Sequence, residues 1–216
     1  MNTDLARRQM VQQQVRTWNV SDPEVLRVIS ELRREQFIPA GYENLAFADT
    51  EIPLPHGQAM MKPIVEGRLL QALELKSGHN VLEIGTGTGF LTACLARLSA
   101  AVSSVDIFSD FIATAASNLA DAGIVNIELL CMDATTELPK DQFDAIAVTG
   151  SLPVFDTRFL DAMKPGGRLF VIVGDSPVMD ARIVTRIGEN DWTTKSLFET
   201  VVRPLVNAPS PSAFSF

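Results

Sequence analysis

Three carboxylates and three glycines in this chain stand where chemistry is done in alternating α/β proteins. Glu83 lies in VLEI, directly before Gly85, Gly87 and Gly89 of the run GTGTG. Asp106 closes AVSSVD, 21 residues after Gly85 (106 − 85), and Asp133 follows IELLCM, residues 127–132. Glycine allows a tight turn and lets a ligand approach the backbone. A carboxylate at the spacing of Asp106 suits a ribose diol, whereas its structural alternative is a helix N-cap. Dinucleotide sites favour G-x-G-x-x-G with a pyrophosphate on the helix N-terminus. Here the spacing is G-x-G-x-G, and Glu83 would repel a pyrophosphate. The same carboxylate suits an ammonium and a sulfonium, and Asp133 suits the amino group of adenine. Acids at three successive strand ends therefore describe a cationic, adenosine-bearing ligand in the crevice beyond the sheet. S-adenosyl-L-methionine fits that description.

The elements that must carry these residues alternate. NVLEI (80–84), AVSSVD (101–106), IELLCM (127–132), FDAIAVT (143–149) and RLFVIV (168–173) read as strands. Helical segments at 91–98, 110–123 and 155–163 separate them, with KPGG as the turn into the last. Such alternation implies right-handed crossovers and a mostly parallel sheet. ARIVTRI (181–187), the turn GEND and SLFETVVRPLV (196–206) instead predict an antiparallel hairpin. The expected fold is α/β: a Rossmann-like seven-stranded sheet with helices on both faces. Before it come a helix over 2–17 and a second one carrying Val25, Leu26, Ile29 and Leu32 on one stripe. Ser21 and Glu24 have capping-box spacing for that second helix, with Pro23 in its first turn. A further helix covers 64–75. The chain is read as one domain, 1–216: a helical cap and loop over 1–63, a cofactor-binding core over 64–206 and a loose tail over 207–216.

With 216 residues, 46% of them apolar, the chain can bury a sizeable core. Its net charge of −8 argues against gripping nucleic-acid phosphates or an anionic membrane. No apolar run reaches the roughly 18 residues of a membrane span, and MNTDLARRQM is too polar for a secretory signal. Two histidines and two cysteines, Cys94 and Cys131, form no metal-ligand spacing, and both cysteines are expected in the core. The expectation is a cytoplasmic protein without metal, acting as a monomer or weak homodimer.

VLEIGTGTG resembles the first motif of class I S-adenosylmethionine-dependent methyltransferases. Within these, the chain is most similar to protein-L-isoaspartate O-methyltransferases. MVQQQV, REQFIPAGYENLAFAD (34–49), PLPHGQ, FDAIAVTG, the KPGGRLFVIVG run and VVRPLV carry the likeness in the family's order. The resemblance implies carboxyl methylation of L-isoaspartyl residues in damaged proteins or peptides. It puts the donor against Glu83, Gly85, Thr86, Gly87, Gly89, Asp106, Ile107, Asp133 and Ala134. The acceptor would meet Gln58, Met61 and Lys62. Where the family's loop reads G-Q-T-I-S-Q-P, this chain reads Gly57, Gln58, Ala59, Met60, Met61, Lys62, Pro63. Its threonine falls on Ala59 and its active-site serine on Met61, so both hydroxyls are lost. Adjacent methionines point differently, which predicts one packed and one facing the cleft. Lys62 or Arg68 could offset the charge of a carboxylate there. A small or apolar acceptor, or a binding module without catalysis, are the competing readings. His56 is expected as a hydrogen-bonded loop residue, with a base for a hydroxyl acceptor as the alternative.

Overall fold

The computed structural model of the chain describes residues 3–189 and 191–209. Seven strands form one sheet in the order β5-β4-β3-β6-β7-β8-β9. They are β3 (Asn80–Ile84), β4 (Ala101–Asp106), β5 (Ile127–Cys131), β6 (Phe143–Leu152), β7 (Met163–Val173), β8 (Met179–Arg186) and β9 (Trp192–Thr200). β3 pairs in parallel with β4 and β6, so the order reverses at β3. That reversal is the switch point at which α/β sheets open a crevice. β8 pairs antiparallel with both β7 and β9, which gives the expected C-terminal hairpin. KPGG is absorbed into β7 as an irregularity, with Phe143 opposite Met163 but Ala145 opposite Arg168.

One face of the sheet is thickly covered. It carries the helices α1 (Thr3–Met10), α2 (Pro23–Glu31), α3 (Pro63–Leu73), α4 (Phe90–Leu98) and α5 (Ser109–Asp121), and a π-helical turn at Val11–Val15 and a 3₁₀ turn at Arg16–Trp18 lie between α1 and α2. Val25, Ile29, Leu32, Leu69, Leu73, Leu95, Ala115 and Leu119 pack there in one cluster. The opposite face differs from expectation. Its only helix among the described residues is the four-residue α6 (Arg158–Asp161), not a helix over 155–163. Phe159, Leu160 and Met163 cover Leu82, Ile146 and Leu169 there. No described helix is long and apolar enough to cross a membrane.

Two local expectations are corrected. The cap of α2 is Asp22, not Ser21: its carboxylate accepts from Glu24 N at 2.8 Å and Val25 N at 3.2 Å, while Ser21 N donates to Gln71 Oε1. Cys131 is exposed whereas Cys94 is buried, because β5 is an edge strand that no neighbour covers on one side. Residue 1, residue 2 at the start of the first expected helix, and Asn190 of the GEND turn lie outside the described residues.

Candidate active site

A cleft with about 740 Å³ of space free of protein atoms, part of it open solvent, lies beyond the carboxyl ends of β3, β4, β5 and β6. Gly85, Gly87, Asp106, Ile107, Asp133 and Ala134 line one side, and Gln58, Ala59 and Met61 another.

The glycine loop has the shape the sequence requires of it. Gly85 has φ +97°, and a Cβ there would lie 2.1 Å from Thr149 Oγ1. That hydroxyl donates to the carbonyls of Ile84 (2.9 Å) and Gly85 (3.1 Å), tying β6 to the loop. Asp106 accepts from Gly87 N and Phe108 N, both at 3.0 Å, so it braces the loop as well as the start of α5. Burial raises its pKa, opposed by these N–H groups. A carboxylate oxygen has two acceptor sites, so a diol can still be received. Asp133 accepts from Thr135 N and Oγ1 and from Asn207 Nδ2 (2.8 Å). Burial would raise its pKa, but the bonds from Thr135 and Asn207 and the charge of Arg158 lower it on balance. The residues present thus suit an adenosine: acceptors at the ends of β4 and β5 and, beside them after β3, a loop whose backbone is bare at Gly85 and Gly87. The apolar walls add Met132, Phe108, Phe111 and Leu205.

Four expected site residues do not line this cleft. Glu83 is fully buried on the helix-covered face, where Thr92 Oγ1 and Ser104 Oγ donate to its Oε2. Strand alternation explains this, since Leu82 and Ile84 take the other face. Burial pushes its pKa up to about 8, against the two hydroxyls, with the charges of Asp106 and Glu66 adding to the rise. Thr86 bonds Ser104 in the same cluster and lines only a smaller recess. Gly89 faces Ala115 and Leu119 on α5. Lys62 lines a separate groove with Trp18, Val178 and Val201. Arg68 is also elsewhere, donating to the carbonyls of Trp18 and Leu197.

The loop over 53–63 is a short antiparallel pair, β1 (Ile52–Pro53) with β2 (Ala59–Met60), closed by Pro55–Gly57. Met60 packs inward, with Thr88 Oγ1 at 3.8 Å from its sulfur, and Met61 lines the cleft. Both methionines are buried in the core cluster, and of the two only Met61 also lines this cleft. His56 stacks on Phe108 at 3.9 Å, and its Nε2 is 2.9 Å from Asp110 Oδ2, as a hydrogen-bonded loop residue would be. Sequence reasoning missed Arg34. Its fully buried guanidinium pairs with Glu66 and donates to Ala46 O (3.0 Å) and Met61 O (2.8 Å). It therefore fixes the loop at Met61. Asn207–Pro209, expected as the start of a loose tail, is docked through Asn207 and Ala208; residues 210–216 lie outside the described residues.

The sequence model of the protein-L-isoaspartate (D-aspartate) O-methyltransferase family matches residues 5–209. The chain belongs to this family. A Methanoculleus marisnigri protein-L-isoaspartate O-methyltransferase is 36% identical over 184 residues, covering 84% of each chain. A second relative so named, from Pelobacter propionicus, is 34% identical over 209 residues, 96% of this chain and 93% of its own. Among solved structures, one described as a protein-L-isoaspartate O-methyltransferase superposes with TM-score 0.81 at 22% identity, over 94% of this chain and 67% of that one. One from Plasmodium falciparum, in complex with S-adenosyl-L-homocysteine, gives 0.78 at 18% identity, over 92% and 97%. These two agree in fold. Family membership makes the chain a methyltransferase that takes its methyl group from S-adenosyl-L-methionine. Asp106→Ala is then expected to weaken donor binding about 10- to 100-fold, as loss of charge-assisted hydrogen bonds does. Calorimetry with S-adenosyl-L-homocysteine checks this, and unchanged affinity would remove Asp106 from the ribose.

Proposed function

We propose that this enzyme methylates the free carboxylate of L-isoaspartyl residues in proteins or peptides. The observation that carries the reading is continuity. One cleft runs from the acids at the strand ends to the loop of Gln58, Ala59 and Met61, so a donor and an acceptor share a single continuous cleft. When bound, the sulfonium supplies an electrophilic methyl group. The acceptor carboxylate is already ionised near neutral pH and needs no general base. One carboxylate oxygen forms the new O–C bond as the S–C bond breaks and its electron pair returns to sulfur, and no proton moves. What remains for the protein is alignment and exclusion of water. Gly85, Asp106 and Asp133 hold the donor side in this reading. Met61, buried to 8% exposure, keeps water from the acceptor side. Glu83 contributes from beneath, by fixing Thr92 and Ser104 under the glycine loop.

Base-labile methyl ester on an isoaspartyl peptide, formed with labelled donor, is the expected product. Its absence would overturn the reading. A second reading, an apolar acceptor, draws on Leu54, Ala59 and Met61 together on that wall. Met61→Ser separates the two. With a carboxylate acceptor, the restored hydroxyl should raise kcat/KM several-fold, while stability falls by about 2 kcal/mol for the lost buried side chain. With an apolar acceptor, isoaspartyl activity stays near zero in both proteins.

A further inference from the structure

We propose that Arg203 holds the acceptor's carboxylate, supplying by charge the orientation that Ala59 and Met61 have no hydroxyl to give. The inference rests on the isoaspartyl reading above. Arg203 is the only cation among the described residues that line the cleft. It is exposed, and its guanidinium makes no hydrogen bond or ion pair with any described residue. The other basic side chains near the loop are engaged or turned elsewhere: Arg34 on Glu66, Arg68 on two carbonyls, and Lys62 in the separate groove.

The backbone that carries this free cation is fixed. Ser151 N donates to Arg203 O at 2.9 Å, and Leu205 N donates to Ser151 O at 3.0 Å. These bonds lay residues 203–205 along the carboxyl end of β6 as a parallel bridge. The approach is close enough that a Cβ on Gly150 would come within 2.7 Å of Leu205. Neighbouring strands lie about 4.8 Å apart, so β6 is about 10 Å from β4 with Asp106 and about 14 Å from β5, which leads to Asp133. Arg203 is thus anchored away from the ribose and adenine acceptors.

An anionic acceptor needs such a group. Glu51, Asp106 and Asp133 give the cleft negative charge, and Met61, Leu54 and Val202 offer its carboxylate no hydrogen bond. Desolvating a carboxylate against apolar walls is costly without a cation. The reaction also dictates the kinetic signature. Methyl transfer annihilates the charge of the carboxylate, so its pairing with Arg203 is stronger before the transition state than in it. Such an interaction lowers KM without raising kcat.

The test is Arg203→Met, with Arg203→Lys beside it, assayed on a short peptide containing one L-isoaspartyl residue. KM for the peptide should rise about 10-fold or more in the methionine variant. kcat should stay level or rise, and the affinity for S-adenosyl-L-homocysteine by calorimetry should be unchanged. Lysine should recover part of the loss. An unchanged KM in an active protein overturns the inference while leaving the function intact. A fall in S-adenosyl-L-homocysteine affinity also overturns it, since the arginine would then serve the donor's own carboxylate. Wild-type protein that neither methylates nor binds the peptide removes the function, and this inference with it.

Discussion

Arg34→Met should lower the stability of the protein by about 3–5 kcal/mol, the usual cost of removing one partner of a buried ion pair. Arg34 is 0% exposed and Glu66 3%. Three groups lose their donor at once: the Glu66 carboxylate, Ala46 O and Met61 O. The guanidinium also lies 4.7 Å over the ring of Phe90, so its stem is packed as well as paired. Glu66 makes the effect pH-dependent. Burial pushes its pKa up to about 7, and Arg34 is what holds it from rising further. Without the arginine the folded-state pKa rises again, and the folded protein takes up a proton that the unfolded chain releases above 4.5. Stability contributed by a proton held that way is lost as pH rises. The variant should therefore be hurt more at pH 8 than at pH 5.5, as urea titrations at the two values would register. Glu66→Leu added to Arg34→Met should recover much of the loss, because it removes the unpaired carboxylate. A pH-independent deficit would mean that packing, not charge, sets the cost. Met61 O is one of the three acceptors, so the acceptor wall should loosen and peptide KM rise even where the protein stays folded.

Arg34 shows what one sequence leaves hidden. It sits in REQFIPAG, a segment that resembles the family, yet nothing in its type or spacing names Glu66 as a partner 32 residues on. Local signals were the legible ones. The glycine run, the acids closing β4 and following β5, and the change from alternation to a hairpin after Val173 each depend on neighbours in sequence. Asp106 and Asp133 reach the cleft because they stand at strand ends, where the sheet opens. Glu83 stands off the cleft for the same reason in reverse. It is one residue inside the end of β3, and the strand's period of two turns it under α4. Lys62 illustrates the same limit on the loop, where it and Met61 point into different spaces. Ser21 had the residue type of a cap, but Gln71, brought up by α3, engages its N–H, and Asp22 caps instead. In the sequence, Arg203 carries no signal beyond its place in VVRPLV. Its place at the cleft depends on the bridge to Ser151, a contact that spans more than fifty residues.

Glu83→Gln should make the protein more stable at alkaline pH. Burial raises the carboxyl's pKa to about 8, and its Oε1 has no partner among the described residues. The folded-state value lies above the unfolded value of 4.5, so the folded protein binds the extra proton throughout that window. Stability from this group is therefore fully present below about pH 4.5 and is lost as pH rises through about 8. At about 1.4 kcal/mol per pH unit, the full window amounts to an order of 5 kcal/mol. Glutamine has no such titration. It keeps an oxygen to accept from Thr92 and Ser104, and its amide nitrogen takes the place of the protonated Oε1. The variant and the wild type should have similar unfolding free energies at pH 5, and the variant should lead by about 3–5 kcal/mol at pH 9. Thermal or urea unfolding at both values reads this directly. The same variant examines the role given to Glu83 beneath the glycine loop. A brace hidden behind β3 predicts S-adenosyl-L-homocysteine affinity within about threefold of wild type, because the hydroxyl cluster is preserved. If calorimetry instead finds a loss of a hundredfold with the fold intact, the charge of Glu83 acts on the donor's ammonium, and the loop must open toward it when the donor binds.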